Sequence, residues 1–363
     1  MKLSRRQFIG KALTIAGSSV LLLGGENWKK EALWYTKLDH QKVRCDLCPN
    51  HCIISNGKRG ICNVRKNEDG ILYTLVYGRL CSLNIDPVEK KPMYHFLPGK
   101  KALSIATAGC NVHCKFCQNW TISQAKPEDI PFEFHSPVAL VSLAQKYETP
   151  IIAFTYSEPV IFYEYMLAVA REAQEAGVKT VMISNGYINE APLRELCRYI
   201  TAVKVDFKGY SEDFYRKIVG GRLGPVLKAM KTVHEENRWL EIVNLVIPTL
   251  NDSKEEMEGL CRWIFENVGE NVPLHFSRFH PQYLMQNLPP TPIKTLQDCY
   301  QIARDNGINY IYLGNIPQQE TDDTFCPRCH SLLIRRKGFI ANLENLEKGK
   351  CTGCGLEIPG IWD

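Results

Sequence analysis

At 363 residues, 45% hydrophobic and 23% charged, the chain has the make-up of a globular protein with a sizeable core rather than of a disordered one. Its net charge of +5 is carried by the first thirty residues, where Lys2, Arg5, Arg6, Lys11, Lys29 and Lys30 stand against Glu26 alone. The remainder is neutral and lacks the basic excess that a protein built to neutralise many phosphates needs, so nucleic acid is not the expected main partner.

The chain opens on SRRQFIGK, followed by an uncharged stretch from Ala12 to Gly25. Paired arginines before a short apolar run have the layout of a twin-arginine export signal, with residues 1–30 as signal or anchor. Export or membrane tethering is the expectation. Cytoplasmic residence is the alternative, and no Ala-x-Ala cleavage site follows Gly25.

Residues 31–98 form a Cys-rich segment. Cys45, Cys48, Cys52 and Cys62 are close enough in sequence to share a metal, either zinc or a second Fe–S cluster that relays electrons. His51 and Cys81 are substitutes in either case. The stretch DPVEKKPMYHFLPG then reads as a Pro-bounded loop leading into the next domain.

From about residue 99 to 318 short Val/Ile-rich runs alternate with amphipathic ones. The strand candidates are 102–107, 150–154, 179–183, 202–206, 241–247, 273–276 and 308–313. Most lack strict polar alternation, as strands covered on both faces do. Helices start at Ser136, after Pro159, at Ser253 with Glu256 as a capping box, and at Thr291–Pro292; Gly177 and Gly307 read as stops. About six βα repeats predict an α/β fold with a parallel sheet, a partial TIM-type (β/α) barrel. Polar and special residues follow every strand, which is the rim where such barrels react. Turn chemistry alone explains SNG and IPTLND. It does not explain Cys110-x3-Cys114-x2-Cys117 directly after the first of these strands. Three thiolates there leave one iron of a [4Fe-4S] cube without a protein ligand; a zinc reading needs His113 as an awkward fourth ligand. Cys197, Cys261 and Cys299 stand singly in helical patterns and read as small core hydrophobes.

Residues 319–363 carry Cys326-x2-Cys329 and Cys351-x2-Cys354, the paired knuckles of a zinc-ribbon-like module that folds with its Zn²⁺.

The cysteine triplet, with Phe116 before its third member, resembles the radical S-adenosylmethionine (SAM) superfamily. CDLCPNHCIISNGKRGICNVR, DPVEKKPMYHFLPG, AGCNVHCKFCQNW, FTYSEP, SNGYI, VDFKG, NLVIPTLND, HFSRFHP, YLGN and CPRCH…CTGCG resemble, more narrowly, the radical SAM component of the AmmeMemoRadiSam system, which is similar to pyruvate formate-lyase activating enzymes. The resemblance implies reductive cleavage of SAM to a 5′-deoxyadenosyl radical that abstracts hydrogen from a substrate. It also implies an external one-electron donor, and the other components of that system or a protein substrate as partners. Glu158 would receive the SAM ammonium, although as a residue before a helix it also reads as a capping carboxylate. Asn185, Asp206 and Lys208 would contact ribose and carboxylate, and Phe116 and Ile247 would flank the adenine. His275, Arg278 and His280 are candidates for substrate contact. Two alternatives stand beside this reading: an activase that generates a glycyl radical on a partner protein, and a non-catalytic iron–sulfur or zinc protein.

Overall fold

The computed structural model describes residues 28–316 and 320–363, so the twin-arginine leader lies outside the described residues. The chain is built around one eight-stranded sheet: β1 (Ser82–Pro87), β2 (Lys101–Ala106), β3 (Ile151–Phe154), β4 (Lys179–Ser184), β5 (Ala202–Asp206), β6 (Trp239–Val246), β7 (Leu274–Arg278) and β8 (Ile311–Gly314). The strands pair in simple chain order. β1 runs antiparallel to β2, and every later pair is parallel.

All seven expected strands form, because their side chains are buried on both faces: β3 is covered at every position and β4 at all but its first. One strand lies outside the expectation. Only Asp86 and Pro87 of β1 fall in the stretch expected to be a loop and the rest carries no strand signal: its central residues are exposed, and it is ordered by pairing to β2. Closure into a barrel is not seen: among the described residues nothing pairs β8 with β1, and the sheet ends on both as edges.

The parallel strands are joined through α1 (Pro137–Lys146), α2 (Tyr163–Glu175), α3 (Glu190–Cys197), α4 (Leu223–Glu235), α5 (Lys254–Val268) and α6 (Ile293–Asp305). Right-handed crossovers that always step the same way keep the helices on one face of the sheet. Helix α5 shows why such a segment folds. Met257, Leu260, Cys261, Ile264 and Val268 are buried at three- and four-residue spacing. Truncating Leu260 to Ala would cost about 2–5 kcal/mol. Ser253 caps α5 by accepting from the Glu256 amide, 3.2 Å. The box is only half made, since the Glu256 carboxylate turns away to accept from the Tyr210 amide, 2.7 Å. Cys197, Cys261 and Cys299 are core residues, as expected.

The N-terminal segment forms two small antiparallel sheets, and its Val43, Leu47, Ile54 and Val64 join the same apolar core as the helices. The C-terminal module packs its own core (Cys326, Leu333, Ile334, Cys351) against Tyr94, Tyr310 and Tyr312. Among the described residues no helix is long and apolar enough to cross a membrane.

Candidate active site

The loop after β2 carries the cysteine triplet and is held in place by backbone. His113 N donates to Val219 O (3.0 Å) and Lys115 N to Ile218 O (3.0 Å), while Gly109 N donates to Ile122 O (2.9 Å). Gly109 has φ +104°, and a Cβ there would sit 2.7 Å from both Cys62 O and Val64 Cγ1. Only glycine fits a left-handed position pressed this closely on another segment. Fully buried Asn111 donates to Tyr187 O and accepts from Asn185 Nδ2, fixing the loop to the turn after β4.

This turn brings three expected residues together. Asn185 Nδ2 lies 3.8 Å from Cys110 Sγ, and its amide donates to Glu158 Oε2, 2.8 Å. Glu158 Oε1 accepts from Ser184 Oγ (2.7 Å) and Val160 N (3.1 Å). The Val160 bond makes Glu158 the helix cap that its position before Pro159 implies. With two lone pairs per oxygen, Oε1 is filled and Oε2 keeps one acceptor site. Burial raises this carboxyl to about 7, against the pull of its three donors.

A second group lies at the end of β5. Asp206 is ion-paired with Lys204 and with Lys208, the latter at 3.2 Å. Burial would raise the Asp206 carboxyl, but the two lysines hold it down at about 2. Lys208 Nζ is 6.0 Å from the Phe116 ring centroid, and Phe214 stacks with that ring at 6.2 Å. Ile247, fully buried, is tied to the same place: its amide donates to Asn251 Oδ1, while Asn251 Nδ2 donates to Lys208 O.

The donor set fits an iron–sulfur cube better than a lone zinc ion. His113 is exposed, and its Nδ1 is taken by Gln124 Oε1. Burial, with Glu158 beside it, raises Cys110 well above its ordinary range; burial also pushes Cys114 up to about 12, despite Lys208. These thiols hold their protons until a metal displaces them.

Sequence reasoning missed the residues that reach this site from β1 and the turn after it. Asp86 accepts from Lys90 Nζ (2.7 Å), Lys91 Nζ (2.7 Å) and the hydroxyl of Tyr156, two residues before Glu158. Lys91 is buried, its Nζ 4.2 Å from the Tyr156 ring centroid; burial lowers it to about 8, although Asp86 opposes this. The signal available in sequence was one acid followed by two lysines at the fourth and fifth places.

The substrate candidates are placed less openly than expected. His275 is the second residue of β7 and is buried, its Nε2 2.9 Å from Glu241 Oε2 and its ring against Tyr94 and Tyr312. Arg278 donates from Nε to Thr291 O, 2.7 Å, and His280 is half-buried.

Two further cysteine groups differ from each other. Cys326, Cys329, Cys351 and Cys354 have all four sulfurs within 4.8 Å of one another, with Cys326–Cys354 and Cys329–Cys351 at 3.6 Å. A tetrahedral zinc with Zn–S of about 2.3 Å spaces its sulfurs about 3.8 Å apart. Cys45, Cys48, Cys52 and Cys62 instead surround one cavity behind the triplet loop.

Residues 104–264 match the radical SAM superfamily. Over 331 residues, 91% of this chain and 98% of the relative, the chain is 44% identical to an uncharacterized protein of Methanocaldococcus jannaschii. Over 178 residues it is 25% identical to a pyruvate formate-lyase-activating enzyme of Clostridium pasteurianum, covering 47% of this chain and 72% of that one. A solved domain of pyruvate-formate lyase-activating enzyme from Bacteroides vulgatus aligns at 15% identity and TM-score 0.41, covering 45% of this chain and 98% of that one.

Proposed function

Because the chain belongs to the radical SAM superfamily, we propose that it is an enzyme holding a [4Fe-4S] cluster on Cys110, Cys114 and Cys117 and binding SAM at the open iron. The cluster, when bound and reduced, supplies the electron that splits SAM into methionine and a 5′-deoxyadenosyl radical, which takes hydrogen from a substrate. The observation that carries the reading is the triplet, whose Cys110 lies beside Asn185 and Glu158 with one acceptor lone pair unused.

In this reading the chain's residues bind and orient. Glu158 receives the SAM ammonium on Oε2, a charge-assisted bond in a site closed to water. Lys208 and Asn185 hold the SAM carboxylate and Asp206 the ribose, with Phe116 and Ile247 beside the adenine. Lys91 and Tyr156, held by Asp86, position the substrate. Arg278 and His280 remain on the side from which it enters, whereas His275 serves through Glu241. The C-terminal cysteines hold structural Zn²⁺. An external one-electron donor and the other components of the AmmeMemoRadiSam system, or a protein substrate, are the partners. The leader supports export or membrane tethering.

Similarity to a pyruvate formate-lyase-activating enzyme favours a second reading, an activase that places a glycyl radical on a partner protein.

The test is anaerobic reconstitution with iron and sulfide, reduction, and addition of SAM. 5′-Deoxyadenosine is expected, and Cys114→Ala should abolish it while leaving zinc content intact. Failure to form 5′-deoxyadenosine where a known radical SAM enzyme forms it refutes the proposal. A glycyl-radical signal on a partner protein selects the activase.

A further inference from the structure

Among the described residues, the C-terminal cysteines are the only group of three or more potential ligands whose atoms all lie within 4.8 Å of one another. The triplet at the active site does not meet that spacing, and neither do Cys45, Cys48, Cys52 and Cys62. One zinc ion draws four sulfurs onto a single centre, whereas a cube holds each thiolate at a separate iron corner and keeps them apart. The N-terminal four therefore share the wide arrangement of a cluster site, and the C-terminal four show in the same molecule what a single-ion site looks like.

The cavity between the N-terminal sulfurs supports the same conclusion. Apart from the cysteines its wall is mostly aliphatic, including Leu47, Ile54 and Ile161, and it contains no carboxylate. Arg65 also lines it. This arginine is 1% exposed, its Nη1 lies 3.6 Å from Cys45 Sγ, and Leu33 O and Glu164 take its other contacts. Its Nε is buried with no hydrogen-bond partner. A buried N–H left without an acceptor is costly, and the sulfide or thiolate of an anionic cluster is an acceptor of the right charge.

We infer that Cys45, Cys48, Cys52 and Cys62 bind a second [4Fe-4S] cluster, fully ligated by protein, with Arg65 donating to it. Its position gives it a task that rests on the reading proposed above. Asn111 lines the cavity and Gly109 is pressed against Cys62, so Cys110, the residue between them and a ligand of the first cluster, is one loop away. Cys52 is half-exposed, on the side open to solvent. An external low-potential one-electron donor protein is oxidised by one electron as the N-terminal cluster is reduced. That cluster is reoxidised when it passes the electron to the active-site cluster.

Iron, sulfide and zinc are counted in the full chain after anaerobic reconstitution. About eight irons and one zinc per chain are expected for two cubes and one ribbon. The triple variant Cys110→Ala/Cys114→Ala/Cys117→Ala leaves the N-terminal group untouched. It should keep half the iron, with a dithionite-reduced paramagnetic signal that SAM does not alter. Cys48→Ala/Cys62→Ala should lose half the iron and keep a SAM-responsive signal. Its 5′-deoxyadenosine formation should persist with dithionite and fall at least tenfold with a protein donor. A triple variant that holds no iron and two zinc ions, or a double variant that loses zinc rather than iron, overturns the inference. Equal rates with both reductants in the double variant overturn the relay. Two clusters with no response to SAM would instead refute the radical SAM reading and leave the second site standing.

Discussion

Acid should loosen the C-terminal module from the sheet through one histidine. His95 is fully buried, with Nδ1 2.7 Å from Pro359 O and Nε2 2.7 Å from the Tyr312 hydroxyl. The ends of this chain fix its direction. Pro359 O can only accept, so Nδ1 carries the proton and Nε2 accepts from Tyr312. Tyr312 then accepts from Thr324 Oγ1 (2.9 Å), which accepts from Arg336 Nη1 (2.7 Å). Thr324, Arg336 and Pro359 belong to the module, while His95 and Tyr312 belong to the strand region. Burial, outweighing nearby Glu241, lowers His95 from 6.5 to about 4. The unfolded chain therefore binds the extra proton first, and stability falls as pH drops from about 7 towards 4. At about 1.4 kcal/mol per tenfold change, about 2 kcal/mol is lost between pH 7.5 and 5, and about 3 below pH 4. The assay is urea unfolding of wild type and His95→Gln at both pH values under the same metal load. Gln keeps an acceptor for Tyr312 and does not titrate. Glu158 and Asp322, raised by burial to about 7 and about 6, act in the opposite direction but are common to both proteins and cancel in the difference. A wild-type-minus-variant difference that changes by less than about 0.5 kcal/mol between these pH values refutes the argument.

Three other changes test the site. Glu158→Gln should weaken SAM binding at least tenfold by calorimetry, and also lower the melting temperature, because its amide would face the Asn185 N–H donor to donor. Gly109→Ala places a methyl group 2.7 Å from Cys62 O at a positive φ, and should cost about 2–3 kcal/mol in denaturant unfolding, with iron lost from both cysteine sites. If the C-terminal cysteines hold the proposed zinc, a thiol-reactive mercurial should free one equivalent per chain and expose the Thr324–Phe325 and Leu332–Lys337 strands to amide exchange, while Cys351→Ser should expose the same strands without reagent.

The parts of this molecule that were legible in sequence are those whose cause is local. Strands buried on both faces announce themselves as Val/Ile runs, so β2 to β8 could be read directly, and the cysteine triplet was visible as a motif from its spacing alone. β1 could not be, because SLNIDP has little apolar content and is a strand only through its neighbour. Asp86 and Tyr156 are 70 residues apart, and no periodicity links them. His275 was assigned to the rim because a histidine near the end of a predicted strand looks available. Its partner Glu241 lies on the adjacent strand, where Lys204, Glu241 and the residues around them form a buried polar layer below Asp206. Within that layer Glu241 accepts from the amides of Tyr94 and His95 and pairs with His275, so the segment after β1 closes over it.

With every crossover stepping the same way, the helices cover one face, and the other face must be closed by material outside the βα repeats. The segment after β1 supplies part of this through Val88, Met93 and Phe96 against Ala102, Ile151, Ala153 and Val181, and the C-terminal segment supplies part through Ile361, whose carbonyl accepts from Leu97 N and whose amide donates to His95 O.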